Sequence, residues 1–473
     1  MSNSKRLHPA AMIFNVINLI RQFVYALIPV IVLSIGDAHF IYVMLGGSVL
    51  CILVIVHSVL NWFRFTYKIE DDQLLIEQGV FIRKNRTISK NRIQSIDLTQ
   101  NIIHRIFGLT KVQIETAGSD SNVDATLSAV TFDEGQYIHQ ELKRKKEPSV
   151  TNDDSTEPEH HNVRNISFKR LLIAGSTSGS FGVILGIFAF AFSEVENLIP
   201  ESTYERTTNW LISQTIQLLS VLGLVLVLLT WAIGILGVVI KHGKFTVTRY
   251  EDELFITRGL LEKRQMTIPI KRIQAVSIKE SLIRQPLGFA SISVEIAGGV
   301  HDNQPTETLI FPLLKKKEIS SFLQDIVPEY QDVPSTFKHI PKRGLPYYLF
   351  RASILPILAI IPLAIMLPDF VFIPCILVIL SLLVGFARYR TAGIHLTKNQ
   401  LTLQMRLFSK ETVVLKQRRI QAFEKQQHVL HRKQKLANME ASILNNFTGR
   451  HYSIKELTVE DVDRIVDWFS CRK

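Results

Sequence analysis

Arg92-Ile93-Gln94-Ser95-Ile96 is written again as Arg272-Ile273-Gln274-Ala275-Val276, and a third time as Arg419-Ile420-Gln421-Ala422-Phe423. Working outward, the first two copies keep a constant spacing of 180 residues: Phe65 matches Phe245, Leu74 matches Leu254, Gly79 matches Gly259 and Gly108 matches Gly288. Glu115-Thr116-Ala117-Gly118 likewise matches Glu295-Ile296-Ala297-Gly298. The third copy stands 327 residues from the first, so Leu401 aligns with Leu74 and Arg432 with Arg105. A repeat of this length means one small domain used three times.

A long apolar stretch precedes each copy. Hydrophobic residues make up 47% of the chain, gathered in runs such as 40–60, 211–240 and 370–386. Crossing a bilayer takes about 20 mainly apolar residues as helix, since backbone polar groups cannot go unpaired in hydrocarbon. Six spans are expected, near 14–35, 40–60, 171–192, 212–240, 350–367 and 370–387. Ser2–Arg6 is basic, but no small-residue cleavage site follows it, so the first span is expected to be retained. The net charge of +12 follows from where the cations sit. Lys5, Arg6, Arg64, Lys68, Arg170, Lys241, Lys342, Arg388 and Arg390 flank spans on one side, whereas the 193–209 segment is acidic. By the bias of Lys and Arg toward cytoplasmic segments, both termini and all three soluble domains are expected in the cytoplasm of a multi-pass cell-membrane protein. Cys51, Cys375 and Cys471 have no metal-ligand or redox spacing.

Each soluble copy reads as antiparallel sheet. Phe65–Ile69 and Phe245–Arg249 are short strands leading from the membrane. Polar turns follow at Glu70-Asp71-Asp72, Tyr250-Glu251-Asp252 and Thr397-Lys398-Asn399, and further strands are expected near 86–88, 93–98, 111–116 and 125–132. Each copy closes with a helical pattern, at 133–145, 314–326 and 459–469. In the last, Thr458 is the expected N-cap and Val462, Ile465, Val466 and Phe469 the apolar stripe. The expectation is six or seven strands per copy, forming a closed or nearly closed barrel with the helix at one end. The charged segment 143–165 reads as a mobile tether.

The transmembrane pair, the strands carrying Arg-Ile-Gln and the terminal helix resemble the bacterial pleckstrin-homology-like (PH-like) domains of the second type. Three such units on six spans resemble the YdbT-like (UPF0699) membrane proteins over essentially the whole chain. The resemblance implies an α+β membrane protein: six transmembrane helices in three hairpins, each followed by a cytoplasmic PH-like antiparallel β-barrel or sandwich with a C-terminal helix. It implies no activity. The expected divisions are an N-terminal segment and first hairpin (1–63), first PH-like domain (64–146), flexible linker (147–166), second hairpin (167–241) and second domain (242–328), then third hairpin (329–388) and a divergent third domain (389–473). In that third copy Lys435 replaces the glycine and Ser442 the acidic residue, so its binding surface is expected to be altered or lost.

No P-loop, HExxH, GxSxG or cysteine cluster occurs, and no catalytic, cofactor-binding or metal-ligating residue is assigned. Arg92, Gln94, Arg272, Gln274, Arg419 and Gln421 are candidate binding residues or, alternatively, structural residues of the repeat. Arg21, Arg170 and Arg351 each precede an apolar run and are expected to reach lipid phosphates at the membrane edge. Gly175, Gly179, Gly182 and Gly186 share a helical face and are expected to let two helices approach closely. Pro356, Pro362 and Pro374 are expected to kink their helices. The recurring basic residues suit anionic lipid headgroups, at roughly 1 kcal/mol for each cation near the surface. No aromatics interleave with them as single-stranded nucleic acid would require. The expected partners are the lipid bilayer, anionic headgroups and a membrane protein or second copy in a homo-oligomer, with no nucleic acid. The reading is a non-enzymatic membrane scaffold or adaptor, for which envelope stress or protection would be a fitting context. The alternative is a transporter or channel with regulatory cytoplasmic domains, for which Ser176, Thr177 and Ser178 would line a path.

Overall fold

The computed structural model describes residues 4–34, 40–70, 73–116, 125–143, 162–179, 182, 186, 216–298, 307–366, 371–445 and 449–471. They fall into two compact units. Unit 1 takes Met1–His160 together with Leu261–Pro269; unit 2 takes His161–Leu260 and Ile270–Lys473.

Among the described residues, four helices are long and apolar enough to cross a membrane: Ile41–Arg64, Ser220–His242, Lys342–Met366 and Phe372–Thr391. Ala10–Ser34 is also helical, whereas Phe168–Ser176 is a nine-residue helix. Of the expected third span, 171–179, 182 and 186 are described and the remainder lies outside the described residues. Helix Leu345–Met366 runs on through Pro356 and Pro362, and Pro374 falls in the first turn of its partner, where a proline costs a helix little.

The strands reveal where each helical pair is inserted. In unit 1, β1 (Lys5–Arg6) lies before the first pair and β2 (Thr66–Glu70) after it, yet they pair antiparallel, Lys5 opposite Tyr67. β3 (Gln73–Gln78) and β4 (Lys84–Ser89) continue the order β1-β2-β3-β4. A second sheet holds β5 (Ile93–Gln100), β6 (Leu109–Thr116) and β7 (Ala125–Thr131). In unit 2, β8 (Asn162–Asn165) pairs with β9 (Thr246–Arg249), which pairs with β10 (Glu253–Arg258). β8 falls in what the sequence suggested was tether; its backbone bonds to β9 hold it. β11 (Lys263–Pro269) joins unit 1 and lies against β5.

The rest of unit 2 contains β12 (Ile273–Glu280), β13 (Phe289–Ile296), β14 (Glu307–Lys315), β15 (Lys338–His339), β16 (Gly393–Leu396), β17 (Gln400–Arg406) and β18 (Lys410–Lys416). They form one seven-stranded sheet in the order β14-β13-β12-β18-β17-β16-β15. β19 (Ile420–Gln426), β20 (Leu436–Ile443) and β21 (Arg450–Thr458) form a three-stranded sheet. β15 and β16 flank the third helical pair as β1 and β2 flank the first, with His339 opposite Gly393. The first and third helical pairs thus leave and re-enter their sheets through adjacent strands.

The expected barrel of six or seven strands from one copy is therefore corrected. Each copy splits four and three, counting the strand before its helical pair, and in the first two copies the second half pairs with the first half of the next copy: β5 with β11, β12 with β18. The cores cross that division and unite the two halves of one copy, because its two sheets pack face to face. Ala275, on β12, is buried in the third copy's core with Leu403, Val413, Leu415 and Ile454. In unit 1 the core gathers Leu74, Ile96, Val112 and Ile138 and takes Leu7, Ala11 and Phe14 from the N-terminal segment.

Closing helices run Phe132–Lys143, Ile319–Ile326 and Val459–Ser470. The second starts later than its apolar pattern suggested, because Leu314 belongs to β14. Thr458 caps the third as expected, its hydroxyl accepting from the Asp461 amide at 3.2 Å. Lys435 keeps the backbone of the glycines it replaces, with φ of 53° against 65° at Gly108 and 67° at Gly288.

Candidate membrane-edge binding site

The three Arg-Ile-Gln segments each begin with a one-turn 3-10 helix, at Lys90–Arg92, Ile270–Arg272 and Gln417–Arg419, which swings the chain from one sheet into the next. In the second, the Arg272 Nε donates to the Ala297 carbonyl at 2.8 Å and the Ala297 amide returns a bond to Arg272 at 2.9 Å. Gln274 Nε2 donates to the Arg272 carbonyl at 3.0 Å and is buried. These two side chains are spent on the turn and the end of β13. Beside Arg419, the Tyr330 hydroxyl donates to the Ile273 carbonyl at 3.2 Å, and burial pushes its pKa up to about 12. Arg418 pairs with Glu329 at 2.6 Å. Arg92 and Gln421 are exposed and Gln94 is half-buried.

Of the three edge arginines, two are held by carboxylates. Arg170 pairs with Glu318 at 2.8 Å, and Arg351 with the fully buried Glu456. Arg21 is exposed within helix Ala10–Ser34. Of the four glycines, Gly175 makes the close approach: a Cβ there would stand 3.0 Å from the Ile235 Cα on helix Ile216–His242. Around Gly179, Gly182 and Gly186 no described atom lies within 4 Å of an added Cβ. A close helix–helix contact that the sequence did not suggest is at Gly385, where a Cβ would stand 2.9 Å from the Ala352 Cβ.

Two basic clefts lie against the end of helix Phe372–Thr391. One, of about 400 Å³, is lined by Lys316, Arg390, Arg406 and Lys410 around a single carboxylate, Glu280. The other, of about 330 Å³, is lined by Arg351, Arg388, Arg406 and Lys455, with Glu411. Arg406 stands between them. It donates to the Thr391 hydroxyl at 2.9 Å and to Gln285 at 2.6 Å, and burial lowers its pKa from the usual guanidinium value. Arg388 Nε donates to the Arg406 carbonyl at 3.1 Å. Lys316 and Lys410 neutralise Glu280, at 2.6 and 3.6 Å. The Arg390 side chain is exposed and has no ion-pair or hydrogen-bond partner among the described residues. Cations in the last turn of an apolar helix sit where headgroup phosphates lie.

An exposed apolar turn recurs in each copy. Val80-Phe81, after β3, recurs as Leu260-Leu261 and Leu407-Phe408. Phe81 is 92% exposed, and Leu407 and Phe408 are each 62% exposed. The Leu260 amide bonds to the Ile240 carbonyl at 2.9 Å, beside the end of its helix. A second apolar set, Ile102-Ile103, Leu282-Ile283 and Val429-Leu430, is exposed at equivalent positions. Next to it Arg284 caps the short helix Phe168–Ser176, donating to Thr177 Oγ1 at 3.0 Å, the Ala174 carbonyl at 3.1 Å and the Pro312 carbonyl at 3.3 Å. Beside helix Phe372–Thr391 the surface is thus apolar at the Leu407-Phe408 tip and basic in the clefts. The tips were missed in the sequence because each is only two residues long. Their threefold recurrence was the available signal.

The sequence profile described as Bacterial PH domain matches residues 23–146, 206–329 and 353–473. The chain belongs to the bacterial PH domain family. The three PH modules so matched each include helical residues that precede the strands. Over 493 aligned residues the chain is 32% identical to the UPF0699 transmembrane protein YdbT of Bacillus subtilis (strain 168), covering 100% of this chain and 99% of that protein. The protein is a transmembrane protein of the UPF0699 family, located in the membrane and so in contact with the bilayer, with three PH modules.

Proposed function

We propose that this protein is a non-enzymatic integral membrane scaffold. Its six spans form three hairpins, its termini and PH modules face the cytoplasm, and the third module grips anionic lipid headgroups through the clefts beside helix Phe372–Thr391. The observation that carries the reading is the pair of clefts, each lined by four cations and one carboxylate, at the end of an apolar helix. Apolar tips beside them would enter the leaflet while Arg390, Lys316 and Lys410 meet phosphate. Tethered weak sites gain from high effective concentration, so modest contacts suffice. Presentation of the modules to a membrane protein partner, in envelope stress or protection, extends the same reading.

The transporter alternative needs polar side chains facing a path. Ser176 and Thr177 instead bond their hydroxyls to the Ile173 carbonyl, at 3.1 and 2.7 Å, as hydroxyls packed along a helix do. The test is native mass spectrometry of the full chain released from micelles with defined lipids. Phosphatidylglycerol should be retained over phosphatidylcholine, and Arg390→Ser with Lys410→Ser should reduce retention severalfold. Equal retention of the two lipids, or no change in the double variant, rules the headgroup role out.

A further inference from the structure

Two junctions between consecutive copies are built in one register. In unit 1, Lys263 faces Gln100, Arg264 faces Thr99 and Gln265 faces Leu98. In unit 2, Ala275 faces Leu415, Ser277 faces Val413 and Glu280 faces Lys410. The repeat spacing makes Lys263 and Lys410 both counterparts of Arg83, and makes Gln100 and Glu280 counterparts of each other. Both junctions therefore set the position of Arg83 against the position of Gln100. The rule leaves two ends. β4 ends its sheet in the first copy, and β19 ends its sheet in the third.

Burial marks these as edges of the same kind as those already joined. On β12, Ile273–Ile278 are buried; on β19, Gln421, Ala422, Glu424, Lys425 and Gln426 are exposed. On β18, Thr412–Leu415 are buried; on β4, Lys84–Thr87 are exposed. We propose that β19 of one chain pairs antiparallel with β4 of a second copy, in the register of the two internal junctions. The inference is independent of headgroup binding. That register sets Ala422 opposite Ile88, Glu424 opposite Arg86 and Gln426 opposite Lys84 of the second copy.

A second observation fits this occupant. Within its own sheet Glu424 stands directly opposite Glu440, a like-charge pair that destabilises a sheet. The junction sets Arg86 of the second copy on the other side of Glu424 in the same row. The internal β12–β18 junction uses the same device, with Lys279 opposite Glu411 and Glu280 opposite Lys410. Cations on an edge strand ordinarily repel other strands. Here Lys84 and Arg86 would admit an edge that carries an acid in register and reject others. The contact is head to tail, joining two different edges, so it propagates into a ring or a filament rather than stopping at a symmetric dimer.

Directly opposed Cα atoms in antiparallel strands stand about 4.5–5.5 Å apart, within disulfide reach. The test uses the full chain in native membranes, with Cys51, Cys375 and Cys471 replaced by serine. Co-expression of a Lys84→Cys chain and a differently tagged Gln426→Cys chain, followed by mild oxidation, should give a disulfide dimer holding one of each tag. The doubly substituted chain should give a ladder or one closed ring. Moving the first site by one residue, Asn85→Cys with Gln426→Cys, turns one thiol to the other face and should cut the yield at least about fivefold. Glu424→Arg should lower the yield about fivefold, and adding Arg86→Glu should restore it. Dimers of like tags only, an internal disulfide without gain in mass, equal yields from the shifted pair, or no dimer at all would each overturn the proposal.

Discussion

Glu295 joins the second and third PH modules, and its protonation should set the strength of that junction. The carboxyl lies on β13 and is fully buried. Its partners come from the third module: Asn445 Nδ2 donates to it at 3.0 Å, the Tyr452 hydroxyl at 3.3 Å, and Arg450 Nε stands 3.7 Å away. Burial raises its pKa from 4.5 to about 7, against the opposing pull of Arg450; Glu307 adds to the rise, while the Tyr452 bond and Lys279 oppose it. A raised acid pKa means that the folded state holds a proton the unfolded state has lost. The stability this confers is fully present below about pH 4.5 and disappears as pH rises through about 7. A rise from 4.5 to about 7 is equivalent to about 3 kcal/mol, which is the stability lost across that window. Hydrogen exchange of the full chain in micelles, corrected for intrinsic rates, reads it directly. Protection in 289–296 and 450–458 should fall between pH 5 and pH 8, and Glu295→Gln should flatten the profile. Constant protection in the wild-type chain, or the same slope in the glutamine variant, would refute the reasoning.

Three further outcomes are expected. Arg284→Ala removes the donors to Thr177, Ala174 and Pro312; leaving buried carbonyls unpaired should cost about 2–4 kcal/mol, measured as earlier thermal unfolding in micelles. Gly175→Leu should disrupt packing against Ile235 and lower the melting temperature, whereas Gly179→Ala, with no described atom near its Cβ, should leave it unchanged. Thr458→Ala deletes the cap on helix Val459–Ser470 and should cost about 1 kcal/mol, seen as faster exchange in its first turn.

Much of this protein is legible along the chain. The threefold recurrence of Arg-Ile-Gln, the apolar runs and the amphipathic stripe after Thr458 are local signals, because helix period, bilayer thickness and capping act over a few residues to a few turns. Lys435 could be aligned with the repeat glycines, but that its backbone would keep a positive φ had to be seen. The role of Arg272 was equally closed to sequence: a strand arginine reads alike whether it meets a ligand or the Ala297 carbonyl.

What the sequence by itself determined is the unit, its number and its attachment to helices, since each is written in periodicity and spacing. What only the tertiary structure decided is which edge meets which. Backbone N–H and C=O groups are the same at every residue, so β12, paired with β13 on one edge, carries no local mark that its other edge must take β18 rather than β11 of its own copy. That choice arises when Ala275 finds its place in the next module's core. The cleft around Glu280 beside Phe372–Thr391 follows from the same choice, because Glu280 and Lys410 meet only where two modules share a sheet.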